Sequence, residues 1–205
     1  MRHKIRARAE YVDAFREIAS RIANVLTSLP KTTLPIKMYV AGGAALHFYL
    51  GERVSRDIDA AFSHRIALPD GLEVAYRDVD NAARVLYFDR QYNDTYALMH
   101  ESAYDDSERL ELAGVEASVL DVRLLTPTDL AVSKIGRLSS QDREDIAALA
   151  RNGLVTARVL RRRAEEAAKG YVGDTVRIAT SIDIACRIVE DATSRPVKPR
   201  GNYSR

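Results

Sequence analysis

Two aspartates separated by one residue, Asp57-Ile58-Asp59, are the strongest chemical signal in the chain. The stretch Arg56–Phe62 alternates polar and apolar residues as a strand does, so both carboxylates leave the same face. Two like charges on one face repel unless a cation joins them. Hard carboxylate oxygens with positions left open for water are what Mg²⁺ (or Mn²⁺) takes, usually alongside substrate phosphates. Such ions can activate an attacking oxygen and stabilise a departing pyrophosphate. Taken alone, the spacing also suits one carboxylate capping a turn and the other facing water.

A second signal lies upstream. The apolar run Ile36–Ala41 ends in Gly42-Gly43, and Ala44–Leu50 reads as a short helix closed by Gly51. Glycines allow a tight turn and close approach of another group. A helix that begins there turns its free N–H groups and partial positive charge outward, which suits a phosphate. By itself this junction is equally a simple turn.

Together the two signals resemble the nucleotidyltransferase superfamily of the DNA polymerase beta type. In that superfamily a hydrophobic strand leads to Gly-Gly or Gly-Ser, a spacer follows, and then a hydrophobic-flanked Asp-x-Asp. Val40-Ala41-Gly42-Gly43 and Asp57-Ile58-Asp59-Ala60 stand in those places. Gly42-Gly43-Ala44-Ala45-Leu46 and Arg53-Val54-Ser55-Arg56-Asp57-Ile58-Asp59 are closer still to the branch of AbiEii-type toxins and related nucleotidyltransferases. The resemblance implies that Gly42 and Gly43 hold a nucleoside triphosphate and that Asp57 and Asp59 bind metal. Arg53 and Ser55 would orient the carboxylates or meet phosphate. The superfamily's third carboxylate is expected at Asp121 in Val119-Leu120-Asp121-Val122, with Asp89 as its rival. Further on, Leu125-Thr126-Pro127-Thr128-Asp129-Leu130, Lys134 and Asp142-Arg143-Glu144-Asp145 resemble a second motif of the branch. It implies that Lys134 and Asp145 reach the site. Surface salt bridges are the other reading of this charged segment, and the favoured one for Arg137, Asp142 and Arg143.

The elements that must position these residues are legible in outline. Residues 10–29 read as an amphipathic helix with Tyr11, Phe15, Ile18, Ile22, Val25 and Leu26 on its apolar face, ended by Leu29-Pro30. Strand-like runs follow near 72–76, 84–88, 96–99, 109–112 and 119–124. Thr126-Pro127 opens a helical region, with breaks near Ser139-Ser140, Asn152-Gly153 and 170–173. Residues 191–205 read as a loose basic tail, and the basic N-terminus as a solvated end or an RNA contact. The expected fold class is α+β: a nucleotidyltransferase-like mixed sheet flanked by helices over 1–125, then a helical unit over 126–190.

The chain has 205 residues, 31 basic against 29 acidic, for a net charge of +2. Near-neutrality excludes a broad nucleic-acid-coating surface, so a polyanion would need a local site. The single cysteine, Cys186, excludes an intramolecular disulfide framework and a cysteine zinc site, and fits a cytoplasmic setting. Cys186 reads as a packed core thiol and His47 as a packing residue. Tyr39, Tyr49, Tyr87 and Tyr92 read as core aromatics or base-stacking candidates. No apolar run spans a bilayer and no secretory leader is recognisable, so no membrane partner is expected. The resemblance further implies an acceptor hydroxyl on tRNA or a protein, and a bacterial toxin paired with an antitoxin. A small-molecule acceptor, or an inactive nucleotide-binding module of the same fold, is the alternative.

Overall fold

The computed structural model describes residues 3–52, 54–93 and 97–194. By its contacts the chain forms two compact units, one of residues 1–96 with 101–130 and one of 97–100 with 131–205.

In the first unit, helix α1 (Ala9–Leu26) buries Tyr11, Phe15, Ile18, Ile22 and Leu26 along one stripe. Each such side chain removed from water contributes roughly 1.5–3 kcal/mol. Val25 falls outside that stripe and is exposed, against expectation. The helix also stops three residues short of Leu29. The Thr27 and Ser28 hydroxyls donate to the carbonyls of Asn24 and Val25 and close its last turn.

Strand β1 (Ile36–Val40) is followed by helix α2 (Gly42–Leu50), which is apolar nearly all round and buried from Ala44 onward. The next extended segment serves two sheets in turn. β2 (Asp57–Ile58) pairs in parallel with β5 (Ala83–Phe88), which pairs antiparallel with β4 (Glu73–Arg77). β3 (Ala60–Phe62) pairs antiparallel with β1. β1 also pairs in parallel with β7 (Leu120–Leu124), and β7 antiparallel with the short β6 (Glu108–Arg109). Asp59 is therefore the residue at which the segment passes from one sheet to the other. Helix α1 packs on β4, β5 and β7, and α2 on β2.

The strands expected near 84–88 and 119–124 form almost as expected. That near 109–112 shrinks to two residues, because only Glu108 and Arg109 pair with β7. Of the run 96–99, residue 96 lies outside the described residues and 97–99 form no strand.

Helix α3 (Pro127–Ile135) begins as expected. Thr126 accepts from the Asp129 amide at 3.1 Å and donates to its carboxylate at 2.7 Å. The second unit holds α4 (Ser140–Arg151), α5 (Ala157–Ala168) and α6 (Thr175–Ser194), with α6 packed on both others through Ile178, Ile182, Ala185, Cys186 and Val189. Residues 191–194 continue α6 instead of opening a loose tail, while 195–205 lie outside the described residues. Among the described residues no helix is long and apolar enough to cross a membrane.

Candidate functional site

The site forms where β1 ends and α2 begins. The Ala41 amide donates to the Asp59 carbonyl at 2.8 Å, which carries the β1–β3 ladder one residue past its last pair. The chain then turns into the helix at Gly42 with φ +56°. A side chain is excluded there twice over. The backbone is left-handed, and a Cβ on Gly42 would fall on Oδ2 of Asp59. The glycine thus lets a carboxylate lie directly against the start of a helix. Ala41, at the N-cap, brings no capping side chain, so the positive end of α2 is met by Asp59 instead.

Asp57 lies one pleat period away and is half-buried. Its Oδ1 accepts a hydrogen bond from the buried Ser55 hydroxyl at 3.0 Å, and it makes no ion pair among the described residues. Ser55 thereby holds the Asp57 carboxylate on one side. Arg53 lies outside the described residues.

The two rivals for the third carboxylate stand in different places. Asp121 lies in register with Lys37, four residues back along β1 from Ala41. At about 3.3 Å per residue that is roughly 13 Å from the Asp59 end. It is 2 % exposed and held by two guanidiniums. Arg109 donates to both of its oxygens at 2.8 and 3.2 Å, and Arg123 to Oδ2 at 3.1 Å. The structure therefore does not bring Asp121 to Asp57 and Asp59. Asp89, in contrast, follows β5 directly. Its amide donates to the Ile58 carbonyl at 3.0 Å, which sets it beside Asp59 in the parallel register. Its Oδ1 accepts the Gln91 amide at 2.8 Å, and no cation pairs with it among the described residues.

Lys134 and Asp145 do come together, but on each other. Within the second unit Nζ of Lys134 lies 2.8 Å from Oδ2 of Asp145 and 3.6 Å from Oδ1 of Asp142. Asp142 is fully buried and takes a bidentate pair from Arg137 at 2.7 Å. It also closes a capping box with Ser139 at the start of α4. Burial would raise its pKa. The bonds from Arg137 and Ser139 and the Lys134 charge outweigh that and hold the carboxyl well below the usual range. The favoured salt-bridge reading holds for Arg137 and Asp142, with a buried carboxylate meeting an exposed guanidinium, whereas Arg143 donates to the Leu138 carbonyl.

A residue with no sequence signal also shapes the site's surroundings. It is Arg8, which lies just past the basic N-terminal stretch of residues 1–6. Its guanidinium donates to Asp78 at 2.6 Å, to the Gly51 carbonyl at 3.3 Å and to the Glu52 carbonyl at 3.2 Å. It pins the turn after α2, from which Ser55 and Asp57 follow. Asp78 is buried and also meets Arg84 at 2.6 Å. Burial opposes its ionisation, but the Arg8 bond, the Val79 amide and both guanidinium charges lower its pKa.

Residues 15–186 match the model of a family described as "Nucleotidyltransferase of unknown function (DUF6036)". The chain belongs to that nucleotidyltransferase family. No curated protein and no solved structure matches it. The membership agrees with the α+β fold. Among the described residues of this nucleotidyltransferase, no three His, Cys, Asp or Glu side chains close on one point. The chain itself thus offers two neighbouring carboxylates, Asp57 and Asp59. That donor set fits Mg²⁺, which binds through one or two carboxylates and completes its shell with water and phosphate.

Of the remaining candidates, Tyr87 is exposed on β5 rather than in the core, and His47, Tyr39, Tyr49 and Cys186 pack inside. His47 is fully buried against Tyr11, with ring centroids 4.3 Å apart, and its Nε2 accepts the Arg8 amide. Tyr39 stacks on Tyr104, and the Tyr49 hydroxyl donates to the Leu125 carbonyl. Cys186 is buried in α6.

Proposed function

We propose that the protein transfers a nucleoside monophosphate from a nucleoside triphosphate to an acceptor hydroxyl, with release of pyrophosphate. The observation that carries this is the carboxylate of Asp59 against Gly42 at the head of α2. It puts an oxygen ligand for a cation and a phosphate-attracting helix end within one turn of chain.

Asp57 and Asp59 would hold Mg²⁺ (or Mn²⁺), with Ser55 fixing the Asp57 rotamer. When bound, the ion would supply positive charge against the charge developing on the phosphates. The backbone N–H groups at the start of α2, near Gly42 and Gly43, would meet the triphosphate. The acceptor oxygen attacks the α-phosphorus as the bond to the β-phosphate oxygen breaks, and pyrophosphate leaves with the electron pair. The hydroxyl proton must go to a base. Asp89 suits this role through its register beside Asp59 and its lack of a cation partner, whereas both oxygens of Asp121 are taken by guanidiniums.

The motif Arg53–Asp59 and its Gly42–Leu46 partner support a finer reading. In it the acceptor is a tRNA end or a protein, and an antitoxin restrains the enzyme in a bacterial cytoplasm. Incubation with α-labelled nucleoside triphosphates, Mg²⁺ and tRNA, protein or small-molecule acceptors tests both levels. The expected result is label transfer that Asp57→Ala with Asp59→Ala abolishes. No transfer across four triphosphates, with no Asp57-dependent nucleotide binding, overturns the reading.

A further inference from the structure

Strand β4 has a neighbouring strand on one side only, because the order of its sheet is β2-β5-β4. The hydrogen bonds on that side say which residues look the other way. The Phe88 amide donates to the Leu72 carbonyl at 2.9 Å, and the Asp78 amide to the Ala82 carbonyl at 3.1 Å. Between those ends the pairing runs without a bulge, Val74 opposite Leu86 and Tyr76 opposite Arg84. Bonded pairs alternate along an antiparallel ladder, so Leu72, Val74, Tyr76 and Asp78 turn their backbone groups to β5. Glu73, Ala75 and Arg77 therefore turn theirs away from it. Arg21 of α1 donates to the Glu73 carbonyl at 3.1 Å, which keeps a second lone pair. The other outward N–H and C=O groups of these three residues have no partner among the described residues. Edge strands are commonly blunted by a proline or a bulge, and β4, Glu-Val-Ala-Tyr-Arg, has neither.

We propose that this edge pairs with the same edge of a second copy of the chain, antiparallel and two-fold about Ala75. The strand carries its own complement. With Ala75 opposite Ala75 of the second copy, Glu73 of each copy falls opposite Arg77 of the other. All of these become bonded pairs, so every outward group finds a partner. Glu73 and Arg77 are exposed on one face, and neither makes an ion pair among the described residues. The Arg77 guanidinium donates only to the Asn81 carbonyl, at 3.1 Å. Opposite charges that face each other across strands favour the pairing, and like charges oppose it. A slip of two residues breaks both charge pairs, and a slip of four, or a parallel pairing in register, sets like on like. A strand of another protein would have to bring the reverse charge order, whereas a second copy already has it. The interface is isologous, the commonest closed form. Its axis stands normal to the sheet, so both copies show the same face. On that face Glu73 lies opposite Tyr87, and Tyr87 opposite Asp57. The joined sheet of six strands therefore carries an Asp57 on each outermost strand, with the exposed Val85 and Tyr87 of both copies between them. The proposal does not depend on the nucleotidyl-transfer reading.

Sedimentation equilibrium of the full chain over a range of concentrations reads the dimer directly. In a self-pair, Glu73→Arg sets positive against positive at both crossings, and Arg77→Glu sets negative against negative. Both side chains are exposed, so the melting temperatures should match the wild type. Each single change is expected to weaken self-association by about tenfold or more, as like charges brought together at an interface do. An equimolar mixture of the two variants should dimerise again, because each brings the charge that the other lacks at both crossings. The chain with both changes should dimerise with itself for the same reason. Rescue by mixing is peculiar to this register, since a dimer built through another surface has no reason to respond to the combination. A wild type that stays monomeric overturns the proposal and leaves the edge to a strand of another protein. A dimer that both single changes leave intact, or that mixing does not restore, overturns it as well.

Discussion

Asp121 on β7 and Asp57 on β2 belong to different sheets, yet each stands near a strand end beside an apolar neighbour. Asp121 sits among three strands with an arginine on each of β6 and β7, and all of its acceptor capacity is directed at Arg109 and Arg123. Asp57 stands where one segment changes sheets, next to a helix start, and its only side-chain partner among the described residues is a neutral hydroxyl. The same contrast recurs in the second unit, where Asp142 is enclosed by Arg137, Lys134 and Ser139. A carboxylate matched by guanidiniums of its own chain ties strands or helices together. One left to a hydroxyl keeps its charge for a cation from outside.

The largest expected effect follows from that difference. Asp57→Ala should eliminate nucleotidyl transfer while the melting temperature stays level, since its carboxylate is held only by one neutral hydroxyl among the described residues. Loss of the fold in this variant would place Asp57 with Asp121 and erase the contrast. Next comes the pair of rivals. Asp89→Asn should lower the transfer rate by about 10²-fold or more while changing stability by no more than about 0.5 kcal/mol. Asp121→Asn should do the reverse. It should cost about 1–2 kcal/mol once the half-exposed Arg109 is allowed for, and leave most of the rate intact. Rates from single-turnover transfer and stabilities from urea melts decide between them, and a dead but fully stable Asp121→Asn would restore it as the third carboxylate.

Gly42→Ala probes the approach of Asp59. A left-handed non-glycine residue costs about 1–3 kcal/mol, and the new methyl must displace the Asp59 carboxylate. Both stability and triphosphate affinity should therefore fall together. Retained affinity would show that the helix start and Asp59 act independently.

How far the sequence disclosed this arrangement can be traced residue by residue. Gly42 and Asp57-Ile58-Asp59 were legible because their chemistry depends on spacing of one or two residues, and local spacing survives any fold. Helix α1 was legible because its buried stripe repeats every three or four residues. Asp89 against Asp121 was not. Both adjoin apolar strand residues, and only the register of β2 on β5 and of β7 on β1 tells them apart, which depends on pairings across dozens of residues. Arg8 was hidden for the same reason. Its three partners lie at Gly51, Glu52 and Asp78, and nothing in a run of basic residues marks the one that will be enclosed. The change of sheets at Asp59 was likewise invisible, since Arg56–Phe62 reads as one unbroken strand.

The smallest effect concerns acidity, and it tests an enclosed carboxylate without any substrate. The folded pKa of Asp142 is depressed below its unfolded value of about 3.9. Its stabilisation is therefore complete above that value and is lost as pH falls through it towards the folded pKa. Asp142→Asn should melt below the wild type at pH 7, because Lys134 and Arg137 lose a buried anion. The difference should narrow steadily as pH falls below about 4, where the wild-type carboxyl itself begins to protonate. Melting curves of the two proteins between neutral and strongly acidic pH make the comparison, and a gap for Asp142→Asn that stays constant with pH would show that its network stabilises α4 through shape and capping rather than through charge.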